Sequence, residues 1–204
     1  EALRATFKNA PNLTVVHADA LEADFVALAA AHAPSAAAIR FAGNLPYYIT
    51  SAIVRRILEC GIAWQSIIVT VQLEVAQRMV AAPGDMSLLS VSTQFYGKAE
   101  LIMRLPPGAF YPQPGVDSAV VRLTPHPAPL FDKPETLFTL ARAGFSQKRK
   151  QLINTLSTGV VLSKIDAAEL LLKAKVDPSR RPETLTVAEW IRLSQTYLAY
   201  TPSE

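Results

Sequence analysis

The chain has 204 residues, half of them hydrophobic, with a formal net charge of +3 and one cysteine, Cys60. That length supports one globular core plus a smaller second unit, and no run of 18 or more apolar residues marks a membrane-spanning helix. A lone cysteine excludes an internal disulfide and fits a reducing compartment, no Cys/His spacing suggests zinc, and Glu1-Ala2-Leu3-Arg4 lacks the apolar stretch of a signal peptide.

In chain order, Val15-Val16-His17 reads as a short strand and Leu21 to Ala31 as an alanine-rich helix. Ile39-Arg40-Phe41-Ala42 is a second strand, ended by Gly43. Ser51 to Cys60 carries Ile53, Val54, Ile57 and Leu58 at helical spacing, with Thr50 or Ser51 as its cap and Gly61 as its stop. The apolar run from Ser66 to Leu73 suits a strand covered on both faces. Helices follow over Glu74 to Ala82 and around Leu88 to Phe95. Lys98 to Leu105 and Ser118 to Thr124 then alternate as two strands around a Pro/Gly-rich loop. Strands alternating with helices predict an α/β unit with a mostly parallel sheet, closed by an antiparallel edge pair.

Residues 125–130 hold three prolines within Pro125-His126-Pro127-Ala128-Pro129 and read as a stiff linker. Beyond it the strand signals vanish. Residues 134–145, 148–157, 165–174 and 186–199 predict helices, punctuated by Gly144, Gly159 and Pro178. The charge divides with the architecture. Residues 1–130 carry nine basic and nine acidic side chains, whereas residues 131–204 carry eleven and eight. The whole excess therefore lies in the helical part, which suits a polyanionic partner or simply a basic solvated surface.

Asn44-Leu45-Pro46-Tyr47 follows the second strand. The amine of adenine is a poor nucleophile because its lone pair is delocalised into the ring. Two acceptors on its N–H groups, the Asn44 side-chain oxygen and the Pro46 carbonyl, would draw that nitrogen toward tetrahedral geometry. Tyr47 would stack on the base. Taken alone, the same four residues also suit a plain strand-to-helix turn.

The stretch Asn44-Leu45-Pro46-Tyr47-Tyr48-Ile49-Thr50 resembles the signature of the KsgA-type ribosomal RNA adenine dimethyltransferases. Gln72-Leu73-Glu74-Val75 with Arg78, Leu88-Leu89-Ser90-Val91, the segment Phe110 to Val121, and Phe145-Ser146-Gln147-Lys148-Arg149-Lys150 with Asn154 and Leu156 resemble that family in the expected order. The resemblance implies a Rossmann-like class I methyltransferase domain with a reversed last strand over residues 1–124. It implies an all-helical RNA-binding domain over 131–204, with S-adenosyl-L-methionine as methyl donor. Asn44, Leu45, Pro46, Tyr47 and Phe110 form the implied catalytic set, with Phe110 opposing Tyr47 across the base. Asp19, Ala20 and Asn44 would contact the cofactor, Asp19 through its adenine; the same aspartate also suits a helix cap. Lys148, Arg149, Lys150, Arg180 and Arg181 would meet phosphates.

The implied reaction is dimethylation of two adjacent adenosines near the 3′ end of small-subunit ribosomal RNA, within an immature particle, by a cytoplasmic monomer with no membrane attachment. Leu45 and the Phe145–Lys150 segment favour that target over large-subunit RNA, the target of the antibiotic-resistance dimethylases. A non-catalytic assembly factor is the alternative of a different class. The family's Gly-rich strand–turn–helix and its second acidic residue have no counterpart here, since the only glycine before Gly61 is Gly43. About two βα units, on the order of 50 residues, are therefore expected from a longer parent protein. This segment by itself is not expected to bind S-adenosylmethionine tightly.

Overall fold

The computed structural model describes residues 2–147 and 149–200. Apolar runs bounded by turn residues form four strands: β1 (Ile39–Asn44), β2 (Trp64–Gln72), β3 (Gly97–Leu105) and β4 (Ser118–Pro125). They lie in the order β1-β2-β4-β3. β1 runs parallel to β2, with Asn44 opposite Thr70. β4 runs antiparallel to both its neighbours, with Ser118 opposite Gln72 on one side and Leu105 on the other.

The reversed strand is thus inside the sheet, and with β3 it forms the antiparallel pair at the edge that the sequence predicts. Burial explains which of the pair lies inside. Ser118, Ala119, Val121 and Leu123 of β4 are all fully buried. β3 carries Lys98, Glu100 and Arg104 and leaves Met103 half exposed, which suits the outer position.

Helices α1 (Ala2–Thr6), α2 (Phe25–His32), α3 (Thr50–Glu59), α4 (Leu73–Met79) and α5 (Leu88–Tyr96) accompany the sheet. Ile53, Val54, Ile57 and Leu58 of α3 pack with Ile67, Val69, Val71, Val121 and Leu123 into one core. Phe25 meets Phe41 edge-on, and Arg56 donates to the Ala23 carbonyl at 2.7 Å, so α2 joins the same side. The expected cover on both sides of β2 is not seen among the described residues: Ile68, on the opposite face, is 42 % exposed.

Two expectations near the start of the chain are corrected. Residues 15–17 have no regular structure, because their backbone meets no neighbouring strand among the described residues, and a strand without ladder partners is not stable. The first long helix begins at Phe25 rather than Leu21. Asp19 draws residues 19–23 into a turn, and Asp24 caps the helix by accepting from the Ala27 N–H at 2.9 Å.

Beyond β4, α6 (Pro134–Gly144), α7 (Leu152–Gly159), α8 (Lys164–Lys173) and α9 (Val187–Leu198) enclose a second core around Leu140, Leu156, Leu170, Trp190 and Leu193. Gly144 and Gly159 end α6 and α7, as the sequence predicts, and both are also packing residues. A Cβ on Gly144 would lie 2.6 Å from the Trp190 ring, and one on Gly159 would lie 2.4 Å from the Ala143 Cβ. The proline segment does not hold the two units apart. Met86, Val91 and Phe95, from and just before α5, belong to the helical core, while Leu89 of the same helix belongs to the sheet core. The Gly84 and Met86 N–H groups also donate to the Glu183 carbonyl, at 2.8 and 3.2 Å.

Candidate active site

β1 delivers Asn44 at its last position, and the Leu45 N–H still donates to the Thr70 carbonyl at 3.1 Å. The chain then turns at Pro46 through a single 3-10 turn, Tyr47–Ile49, into α3. Asn44 is exposed, and its side-chain amide has no hydrogen-bond partner among the described residues. Its acceptor oxygen is therefore available to a ligand.

The Pro46 carbonyl is differently placed. Thr50 donates its hydroxyl to it at 2.9 Å, and the Ile49 N–H lies 3.3 Å away. Thr50 is 1 % exposed and lies inside α3, so it is not the cap that the sequence suggests. A carbonyl oxygen has two lone pairs, so an incoming amine must share one or displace the Thr50 rotor. Of the two acceptors, Asn44 is the unencumbered one.

Tyr47 is half-buried, and its hydroxyl lies 2.6 Å from that of Ser118 at the start of β4. Phe110 comes from the loop between β3 and β4. Asn44, Leu45, Pro46 and Tyr47 form one wall of a cleft of about 330 Å³, and Phe110, Tyr111, Pro112 and Pro114 form the other. The structure thus brings together all five residues of the implied catalytic set. Tyr111, fully exposed beside Phe110, is a further wall residue that the sequence reading missed; its only linear signal is adjacency to Phe110.

Asp19 and Ala20 do not line this cleft. The Asp19 Oδ1 accepts from the Leu21 N–H at 2.8 Å, closing a local turn. The residue is exposed, and Ala20 packs against the sheet core. As acceptors, the Asp19 carboxylate and the unengaged Asn44 amide suit the adenine amine and amino-acid end of a nucleoside-linked sulfonium.

The basic residues do not share one setting. Lys148 lies outside the described residues. Arg149 and Lys150 are exposed in the turn before α7, which starts at Leu152, so the basic run precedes the helix rather than opening it. Arg149 holds a φ of 71°, a left-handed conformation that suits a turn and not a helix. Arg180 is turned inward. Its guanidinium binds Glu189 at 2.6 and 3.3 Å and the Thr184 carbonyl at 2.6 Å. Burial works against the charge on Glu189, but the Arg180 and Thr186 hydrogen bonds outweigh it and hold this carboxyl below the ordinary glutamate range. Arg181 is exposed and only 4.0 Å from Glu183. A second cleft, of about 180 Å³, lies where α3, α4 and α5 meet α6 and is lined by Arg55, Arg78 and Arg142. These three arginines are far apart in sequence, and of them only Arg78 falls in a motif that the sequence singles out.

A mixed sheet with its reversed strand inserted, bearing an Asn-Leu-Pro-Tyr wall at the strand ends, is the architecture of a Rossmann-like methyltransferase. A family model described as ribosomal RNA adenine dimethylase matches residues 1–197. The chain is 41 % identical over 199 residues to ribosomal RNA small subunit methyltransferase A from Dehalococcoides mccartyi strain BAV1, covering 97 % of this chain and 67 % of that protein. It is 37 % identical over 202 residues to the protein of the same name from Alkaliphilus metalliredigens, covering 97 % and 70 %. Among solved structures, the 23S rRNA methyltransferase ErmE aligns with a TM-score of 0.67 at 27 % identity, covering 96 % of this chain and 76 % of that one. A dimethyladenosine transferase from Plasmodium falciparum shares the fold with a TM-score of 0.78 at 21 % identity, covering 97 % and 77 %. The chain belongs to the ribosomal RNA adenine dimethylase family, whose members use S-adenosylmethionine. It spans about two thirds of the length of the curated relatives it matches.

Proposed function

We propose that the protein dimethylates the exocyclic amines of two adjacent adenosines near the 3′ end of small-subunit ribosomal RNA, within an immature particle. The observation that carries this reading is the shared cleft: the Asn44–Tyr47 wall faces Phe110 across a gap open to solvent. An adenine drawn out of its RNA stack would enter between Tyr47 and Phe110, as enzymes acting on bases require. Asn44 Oδ1 accepts one amine hydrogen and localises the nitrogen lone pair, with Pro46 offering a second acceptor beside Thr50. The proton becomes acidic once nitrogen has formed its new bond, and it leaves through the open cleft without a strong general base. S-adenosylmethionine, when bound, supplies the electrophilic methyl group; Asp19, Ala20 and Asn44 are the residues of this segment assigned to hold it.

Arg149, Lys150 and Arg181 are assigned to RNA phosphates, as are the arginines of the second cleft. Arg180, committed to Glu189, supports the helical domain from within. No helix among the described residues is long and apolar enough to cross a membrane, and we assign the protein to the cytoplasm as a monomer acting on the particle. Primer extension on small-subunit particles and on large-subunit RNA tests the reading, using the full-length protein with S-adenosylmethionine. Stops at two adjacent adenosines of the small-subunit RNA are expected. Modification confined to large-subunit RNA, or binding to particles without any methylation, would overturn it.

A further inference from the structure

From the hydrogen bond between Tyr47 of the cleft wall and Ser118 at the start of β4, and resting on the function proposed above, we infer that Ser118 is a positioning residue for methyl transfer. Ser118 is 0 % exposed, so its hydroxyl is shielded from bulk water. It lies 2.6 Å from the Tyr47 hydroxyl, and this is the contact that fixes the far end of that ring. Tyr47 is anchored at its other end by the turn that follows Pro46. Holding the ring at both ends fixes its long axis, and with it where a stacked base can sit against the cleft wall.

Ser118 is itself immobile. It pairs with Gln72 of β2 and with Leu105 of β3, and the preceding residue, Asp117, accepts from the Leu73 N–H at 2.9 Å. It is also the first strand residue after the loop that carries Phe110. One residue therefore ties both walls to the same point of the sheet, Tyr47 through its hydroxyl and the Phe110 loop through its backbone. Without the serine hydroxyl, the half-buried Tyr47 hydroxyl can turn toward water, and the ring loses its reference to the sheet. The serine never touches the base, so it acts through Tyr47 alone.

The test is a double-substitution cycle in the full-length protein, with Ser118→Ala, Tyr47→Phe and both together. It is read by single-turnover methylation of small-subunit particles, particle binding and thermal unfolding. Each single change is expected to lower the methylation rate about tenfold or more while particle affinity stays within about twofold. The double variant is expected to fall no further than the worse single one, because both changes cut the same bond. Ser118→Thr, which keeps the hydroxyl, is expected to recover most of the rate in the Tyr47 background and none in the Tyr47→Phe background. Rate losses that multiply, or a Ser118→Ala loss that persists undiminished in the Tyr47→Phe protein, would overturn the inference and leave the proposed function standing. A wild type that methylates neither RNA would overturn the proposed function and this inference with it.

Discussion

The cleft at the strand ends and the core of the helical domain use polar residues in opposite ways. At the cleft, Asn44 presents an amide with no partner among the described residues, while Phe110 and Tyr111 line an open wall. In the helical domain, Arg180 makes four hydrogen bonds, to Glu189, Thr184 Oγ1 and the Thr184 carbonyl. A polar group left unsatisfied is available for chemistry, and one fully satisfied is available for stability. Side-chain type alone does not separate the two, and hydrogen-bond partners do.

The comparison breaks if either residue behaves like the other. Asn44→Ala is expected to lower methyl transfer in the full-length protein about 10²–10³-fold, the usual cost of losing a preorganised electrostatic group. Its unfolding free energy should change by less than about 0.5 kcal/mol, as for an exposed residue without contacts. Kinetics paired with thermal unfolding check both halves. Arg180→Ala should do the reverse, destabilising by about 2–3 kcal/mol through loss of charged hydrogen bonds while the salt dependence of RNA binding is unchanged. Phe110→Ala is expected to lower kcat/KM about 5- to 150-fold, the equivalent of one stacking contact, with little change in stability. Arg149→Ala with Lys150→Ala should leave stability unaltered and reduce the slope of log affinity against log salt by about 2, as filter binding would show.

The smallest effect concerns acid. Glu189 has a depressed folded-state pKa, so its contribution is present above the ordinary glutamate value and lost as pH falls through the folded value. Stability of the wild type should therefore fall on moving from neutral into the acidic carboxylate range. Glu189→Gln should show a shallower decline in chemical denaturation across the same window. An identical pH profile for the two proteins would place Arg180 among the solvated cations after all.

Much of this was legible in the chain. Strands β1 and β2 follow from apolar runs ending in turn residues, and α3 from its helical stripe. The Asn44–Tyr47 wall follows from a motif whose residues are adjacent. What escaped depended on partners distant in sequence. Val15–His17 has strand composition but no neighbouring strand among the described residues. The inner place of β4 depends on a long-range pairing of Ser118 with Gln72. Thr50 has the chemistry of a cap, yet its hydroxyl goes back to Pro46. Arg180 and Arg181 look alike in sequence and differ because Glu189 lies within reach of only the first.

Helix α5, whose two sides belong to different cores, has a consequence for how the chain can be divided. Cutting near residue 130 would strip Val91 and Phe95 from beneath Phe138 and uncover apolar surface on both fragments. The chain is therefore expected to melt as one cooperative body, and neither fragment should be a well-behaved substitute for the whole. A tug on the helical domain by bound RNA would be felt at Leu89, against the strands that carry the cleft.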